Sequence, residues 1–170
     1  VIEVYERLGL GFAGRVNQQL VLTHDQRERG RLRAFAEDGE EVRLFLERGK
    51  TLAIGEFLRG RCGKVLQVAG ATEPVMTALC DDWHTFSRAC YHLGNRHVKL
   101  QVGQCWLRIT PDHVLAEMLQ GLGLSVREEE AVFVPESGAY SHGAGHHHHH
   151  DHDHEDKASD KVTHLHEHTH

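Results

Sequence analysis

Apolar and polar residues alternate with a period of two through the first third of the chain, then give way to stripes of longer period. Arg31-Leu32-Arg33-Ala34-Phe35-Ala36 and Val42-Arg43-Leu44-Phe45-Leu46 flank Asp38-Gly39. Asp-Gly tolerates the positive φ angles of a tight antiparallel turn, so these segments predict a β-hairpin. Leu20-Val21-Leu22-Thr23 and Leu52-Ala53-Ile54 predict further short strands. Arg27, Arg29, Arg31 and Arg33 alternate and are expected to share one face. A row of this kind serves as a solvated strand edge that discourages aggregation, or as a surface for a peptide or protein.

After Cys62-Gly63 the period changes. Val65–Ala69 predicts a strand, and Thr72-Glu73-Pro74 a helix start, since proline fits a first helical turn. Met76, Leu79, Trp83, Phe86, Cys90 and Leu93 then recur at steps of three and four, one apolar stripe. Gly94-Asn95 is expected to end that helix as a left-handed cap. Strands are predicted over Val98–Val102 and Cys105–Ile109, separated by Gly103-Gln104. Thr110-Pro111 supplies an N-cap and first-turn proline for a second helix. That helix buries Leu115, Met118, Leu119 and Leu122 and closes at Gly123, before a last strand from Val126 to Val134. The expected fold is α+β. A β-rich domain over 1–63 precedes a β-α-β-β-α-β, ferredoxin-like domain over 64–136. A tail over 137–170 has too few apolar residues to offset chain entropy and is expected to be disordered.

Composition turns the tail into the chemically distinctive segment. Of 17 histidines, twelve lie from His142 onward: His142, His146, His147, His148, His149, His150, His152, His154, His164, His166, His168 and His170. Imidazole is largely neutral near pH 7 and offers a nitrogen lone pair suited to Ni²⁺, Cu²⁺ and Zn²⁺. Asp151, Asp153, Glu155 and Asp156 interrupt the run, which separates it from an uninterrupted purification tag and favours cations. The formal net charge of −6 carries no basic footprint, so neither nucleic acid nor an anionic membrane is an expected partner. No apolar stretch is long enough to span a bilayer, and no export signal is legible. Cys62, Cys80, Cys90 and Cys105 form no Cys-x-x-Cys pair and are expected as reduced, mostly core thiols in a cytoplasm. No His-Glu-x-x-His pattern marks a metal hydrolase, and no Gly-rich phosphate loop marks a nucleotide hydrolase, so no enzyme is expected.

The body histidines are His24, His84, His92, His97 and His113, and three of them fall in longer motifs. Tyr91-His92-Leu93-Gly94-Asn95-Arg96-His97, followed by Gln101, resembles the core motif of the UreE family of urease accessory nickel chaperones. Asp112-His113-Val114-Leu115, Met118-Leu119 and Leu122-Gly123-Leu124 continue the likeness. Phe133–Tyr140, running into the histidine-rich tail, completes it. The resemblance implies a homodimer in which His97 of each subunit meets its copy near the two-fold axis and holds one Ni(II). It implies supplementary ligands from His113 or the tail, and Ni(II) as cargo, with Zn(II) or Cu(II) as competitors. It also implies delivery to apo-urease with the urease accessory GTPase. Pro111 stands where some relatives carry a histidine, which removes one ligand from a second body site. His92 and Cys80 match positions the family associates with metal, yet read here as structural residues. The alternative function is storage or buffering of nickel or zinc by the tail alone.

Overall fold

A computed structural model of the chain describes residues 1–138. The tail expected to be disordered lies, from residue 139 on, outside the described residues. The body is α+β. Its first part runs β1 (Ile2–Gly9), β2 (Gln18–Leu22), a helical turn α1 (His24–Arg27), β3 (Arg31–Phe35), β4 (Glu41–Phe45), β5 (Phe57–Gly60) and β6 (Val65–Gly70). These strands make one sheet in the order β2-β6-β5-β1-β4-β3. Alternation sets its buried face: Ile2, Val4, Leu20, Leu22, Val42, Leu44, Leu66 and Val68 enter one core. The Asp38-Gly39 hairpin forms as expected, pairing Arg31 with Phe45 and Phe35 with Glu41, with Gly39 at φ 83°.

Two expectations for this part are corrected. Leu52-Ala53-Ile54 is no strand; Leu52 is buried from a loop, with its N–H on the Arg27 carbonyl at 2.9 Å. The four alternating arginines do not share a face. Arg27 lies in α1 and is buried, whereas Arg31 and Arg33 point outward from β3.

The second part runs β7 (Thr72–Leu79), α2 (Trp83–Asn95), β8 (Gln101–Val102), β9 (Trp106–Ile109), α3 (His113–Leu122) and β10 (Ser125–Val132). All its strand pairs are antiparallel, in the order β10-β7-β9-β8. The β-α-β-β-α-β order is therefore present, but it begins at Thr72. The expectation that Val65–Ala69 opens it is corrected: β6 pairs with β2 and β5 in the first sheet. The change of sheet falls at Ala71.

The helix expected from Thr72-Glu73-Pro74 is likewise corrected to strand β7. Pro74 sits where β7 pairs only with β10, because pairing to β9 begins at Met76. A residue without an N–H is tolerated at such an edge. Val75, Met76, Thr77 and Ala78 are all buried, as in a strand covered on both faces. The stripe survives only in its second half, where Phe86, Ala89 and Leu93 face the core and Trp83, at the helix start, stays exposed. Asp82 caps α2 by accepting the Thr85 N–H at 2.7 Å. Asp112, not Thr110, caps α3, accepting the Leu115 N–H at 3.0 Å. The strand expected over Val98–Val102 shrinks to two residues. Val98 spends its N–H on the Leu93 carbonyl and Leu100 its carbonyl on Glu136.

The two sheets meet at a polar joint. Buried Arg27 donates from Nη2 to the Phe133 carbonyl and from Nη1 to the Leu52 carbonyl at 3.4 Å. The Phe133 ring meets the His24 ring edge-on at 5.5 Å, and the His24 N–H donates to Glu73 at 2.7 Å. Gly70 closes the joint: a β-carbon there would lie 2.5 Å from Val132 and 2.7 Å from Ile54. Burial lowers the His24 pKa below its ordinary 6.5; Glu28 opposes the shift, and Arg27 and Lys99 reinforce it. The folded state then binds this proton less readily than the unfolded chain, so stability rises with pH in that window. We expect full stability above pH 6.5 and a decline as pH falls from there toward the folded value. Urea melts between pH 7.5 and 5 should show a smaller pH slope for His24→Gln than for the parent chain. An unchanged slope would remove His24 as the cause.

Candidate metal centre

Helices α2 and α3 end in the same hydrogen-bond pattern. In α3, the Gly123 N–H bonds the Gln120 carbonyl at 3.0 Å and the Leu124 N–H bonds the Leu119 carbonyl at 3.0 Å. In α2, the His97 N–H bonds the Gly94 carbonyl at 2.9 Å and the Val98 N–H bonds the Leu93 carbonyl at 3.2 Å. This is the Schellman arrangement, whose turning residue must be left-handed and is usually glycine. Gly123 obeys the rule at φ 104°. His97 breaks it at φ 55°. The left-handed residue expected at Gly94-Asn95 is thus two to three positions later, and it is the candidate ligand itself.

This placement has chemical consequences. A β-carbon at positive φ costs roughly 1–2 kcal/mol, so the position would favour glycine on stability alone. In return the imidazole leaves the helix at its tip, exposed to solvent and away from the core that holds Leu93 and Val98. It also stands at the negative end of the α2 dipole, where a cation is favoured. His113 has the opposite setting. It is exposed at the first position of α3, at the positive end of that helix, beside its cap Asp112. No hydrogen bond or ring contact joins His97 to His113 among the described residues.

The remaining body histidines lie elsewhere. His24 belongs to the joint. His92 is half-buried, with its ring against Tyr91 at 5.4 Å, and its carbonyl accepts Arg96 Nη1 at 3.1 Å. His84 is exposed in the first turn of α2. Among the described residues no group of three or more His, Cys, Asp or Glu side chains is arranged to hold a metal. One subunit's described residues therefore build no three-ligand site. The twelve tail positions from His142 to His170 lie outside the described residues.

Two residues that sequence reasoning did not assign to the site shape its surroundings. Gln101 Oε1 accepts the Val134 N–H at 3.0 Å, and the Leu100 carbonyl accepts the Glu136 N–H at 2.8 Å. The segment that leads into the histidine-rich tail is thereby fastened three to four residues from His97. Gln101 lies inside the quoted motif, but nothing in its type or spacing announces a contact thirty-three residues away.

The family model of the UreE urease accessory protein C-terminal domain matches residues 73–170, and that of the N-terminal domain matches residues 4–71. The chain belongs to the UreE family. A urease accessory protein UreE of Marinomonas sp. (strain MWYL1) is 62% identical over 146 residues, covering 86% of this chain and 99% of the relative. One from Alteromonas mediterranea is 48% identical over 133 residues, covering 78% and 86%. One from Psychromonas ingrahamii is 42% identical over 149 residues, covering 86% and 97%. The N-terminal match ends at Ala71, where the chain changes sheet. As a UreE member the chain has a urease accessory role and is not an enzyme. Among the described residues no helix is long and apolar enough to cross a membrane.

The left-handed position yields a sharp expectation. In metal-free protein with chelator present, His97→Gly should stabilise the fold by about 0.5–1 kcal/mol, because glycine relieves the positive-φ cost. Thermal melts should show a rise of a few degrees. Equal or lower stability would mean that His97 is not held against its preference.

Proposed function

We propose that this chain is a nickel metallochaperone, which binds Ni(II) as cargo and donates it to apo-urease during assembly of the metal centre. The observation that carries the reading is His97, kept at a left-handed helix terminus where glycine would be more stable, exposed and at the negative end of α2. Selection for a ligand rather than for stability accounts for that choice.

A single exposed imidazole is a weak site, and symmetry adds a second without a second motif. The proposed working form is a homodimer joined through the second sheet and its helices, a ferredoxin-like unit, with His97 of each copy at the axis. Exposed Tyr91 and Val114, on the helices that carry the two histidines, favour a covered face there. His113 and the tail histidines are proposed as further ligands. His142 is six residues beyond the anchored Glu136, so the chain between them reaches at most about 20 Å. Successive tail imidazoles then displace one another, which combines capacity with fast release, while the tail carboxylates attract cations. Protons compete for the same nitrogens, so affinity falls below about pH 6.5. The proposed partners are the urease accessory GTPase and the apo-urease accessory complex, in the cytoplasm. The arginine-bearing outer face of the first sheet is proposed as a partner-docking surface. Zn(II) and Cu(II) are the expected competitors.

Calorimetric Ni(II) titration of the full chain, a 1–141 form and His97→Ala tests this reading, together with urease activation by each. The tightest event, one ion per dimer, should survive truncation and vanish in His97→Ala. Activation should weaken without the tail and fail without His97. If activation instead depends on the tail and ignores His97, the chain is a nickel or zinc store, as the tail composition alone would favour.

A further inference from the structure

Cys80 and Cys105 stand opposite each other at the open end of the β7–β9 ladder. The last regular pair is Leu79 with Trp106, and one further step in the same register sets Cys80 against Cys105. The step is real, because the Cys80 N–H donates to the Cys105 carbonyl at 3.1 Å. Residues that face each other across an antiparallel ladder have Cα atoms about 4.5–5.5 Å apart, inside the roughly 4.4–6.8 Å span of disulfides. Both thiols are free and partly buried. Lost solvation, then the neighbouring Cys80 and the carboxylates of Asp82 and Asp81, raise the Cys105 thiol above its ordinary pKa. Burial, then the nearby Cys80, likewise raises the Cys90 thiol, but Cys90 belongs to α2 and has no strand register with Cys80.

We propose that Cys80 and Cys105 are a redox-modifiable pair that closes reversibly into a cross-strand disulfide, with low-molecular-weight disulfides as the oxidant. One thiolate of the pair attacks a sulfur of the small disulfide, forming a mixed disulfide and expelling one small thiol. The second thiolate attacks the protein sulfur of that bond, forming the Cys80–Cys105 bond and expelling the other small thiol. Two protein thiols are oxidised, one small disulfide is reduced to two thiols, and the two protons pass to the leaving sulfurs. The bond is expected to be labile. Cross-strand β-carbons lie about 4.5–5.5 Å apart, so closure must draw them in by about 1 Å, and strained disulfides are the easily reduced ones. Cys105 lies just beyond the Gly103-Gln104 turn, at φ 55°, one residue before β9 begins. Reducing conditions keep the pair open, and oxidising conditions close it.

The test uses the full chain carrying Cys62→Ser, which removes the exposed thiol, with chelator present. The protein is equilibrated in graded mixtures of oxidised and reduced glutathione, trapped with an alkylating agent, digested and weighed. Protection of Cys80 and Cys105 should rise together along one redox midpoint. A cross-linked peptide lighter by two hydrogens should appear and disappear on reduction, and closure should speed up with pH as thiolate forms. Cys90→Ser should leave all of this unchanged, whereas Cys80→Ser and Cys105→Ser should each abolish it. A Cys80–Cys90 link, glutathione adducts that never resolve, or protection of the two thiols at different midpoints would each overturn the proposal.

Discussion

A buried guanidinium must find acceptors, and Arg27 finds them on both sides of the joint. Its bonds to the Phe133 and Leu52 carbonyls tie the end of the second sheet to a loop of the first. Removing one partner from a buried charge costs several kcal/mol, so this contact sets where the chain can leave the body. From Phe133 onward the backbone is taken up in turn by Gln101 and then by Leu100. Val134 and Glu136 are therefore held beside the loop that carries His97.

The end of α2 places a histidine where the backbone favours glycine. Two helices in one unit use the same terminating pattern, and only one of them uses the residue that suits it. Gly123 shows that glycine serves at such a turn in this fold, so His97 is the departure with a reason. The geometry also ranks the two body histidines, since the dipole of α2 favours a cation at His97 and that of α3 opposes one at His113. Among the described residues, Cys105 is the other non-glycine residue at positive φ. Both departures fall in the second sheet and its helices, and both belong to side chains with their own reactivity.

Legibility followed the range of the forces involved. The Asp38-Gly39 hairpin, the glycine stop at Gly123 and the alternating core of β2, β3 and β4 are local, and periodicity was enough to find them. Pro74 misled because a missing N–H suits a helix start and an unpaired strand edge equally well. Only the late onset of β9 pairing separates the two. Val65–Gly70 reads as a strand in any sheet, and its assignment to the first rests on pairing with β2 and β5. Arg27 was read as one of an alternating row, since nothing in its neighbours shows that Leu52 and Phe133 will enclose it.

By itself the sequence determined the chemistry: a dozen tail imidazoles among carboxylates, a histidine after Gly-Asn-Arg, and a motif set that marks the family. Residue type fixes which lone pairs are available, and no folding is needed to count them. What only the tertiary structure decided was the setting of the body histidines. It put His97 in a left-handed position and His113 at the unfavourable end of a helix, and it withdrew His24 and His92 into structural roles. It also set Cys80 against Cys105. These outcomes depend on backbone angles, helix polarity and strand register, which arise from contacts tens of residues apart and leave no local mark on the chain.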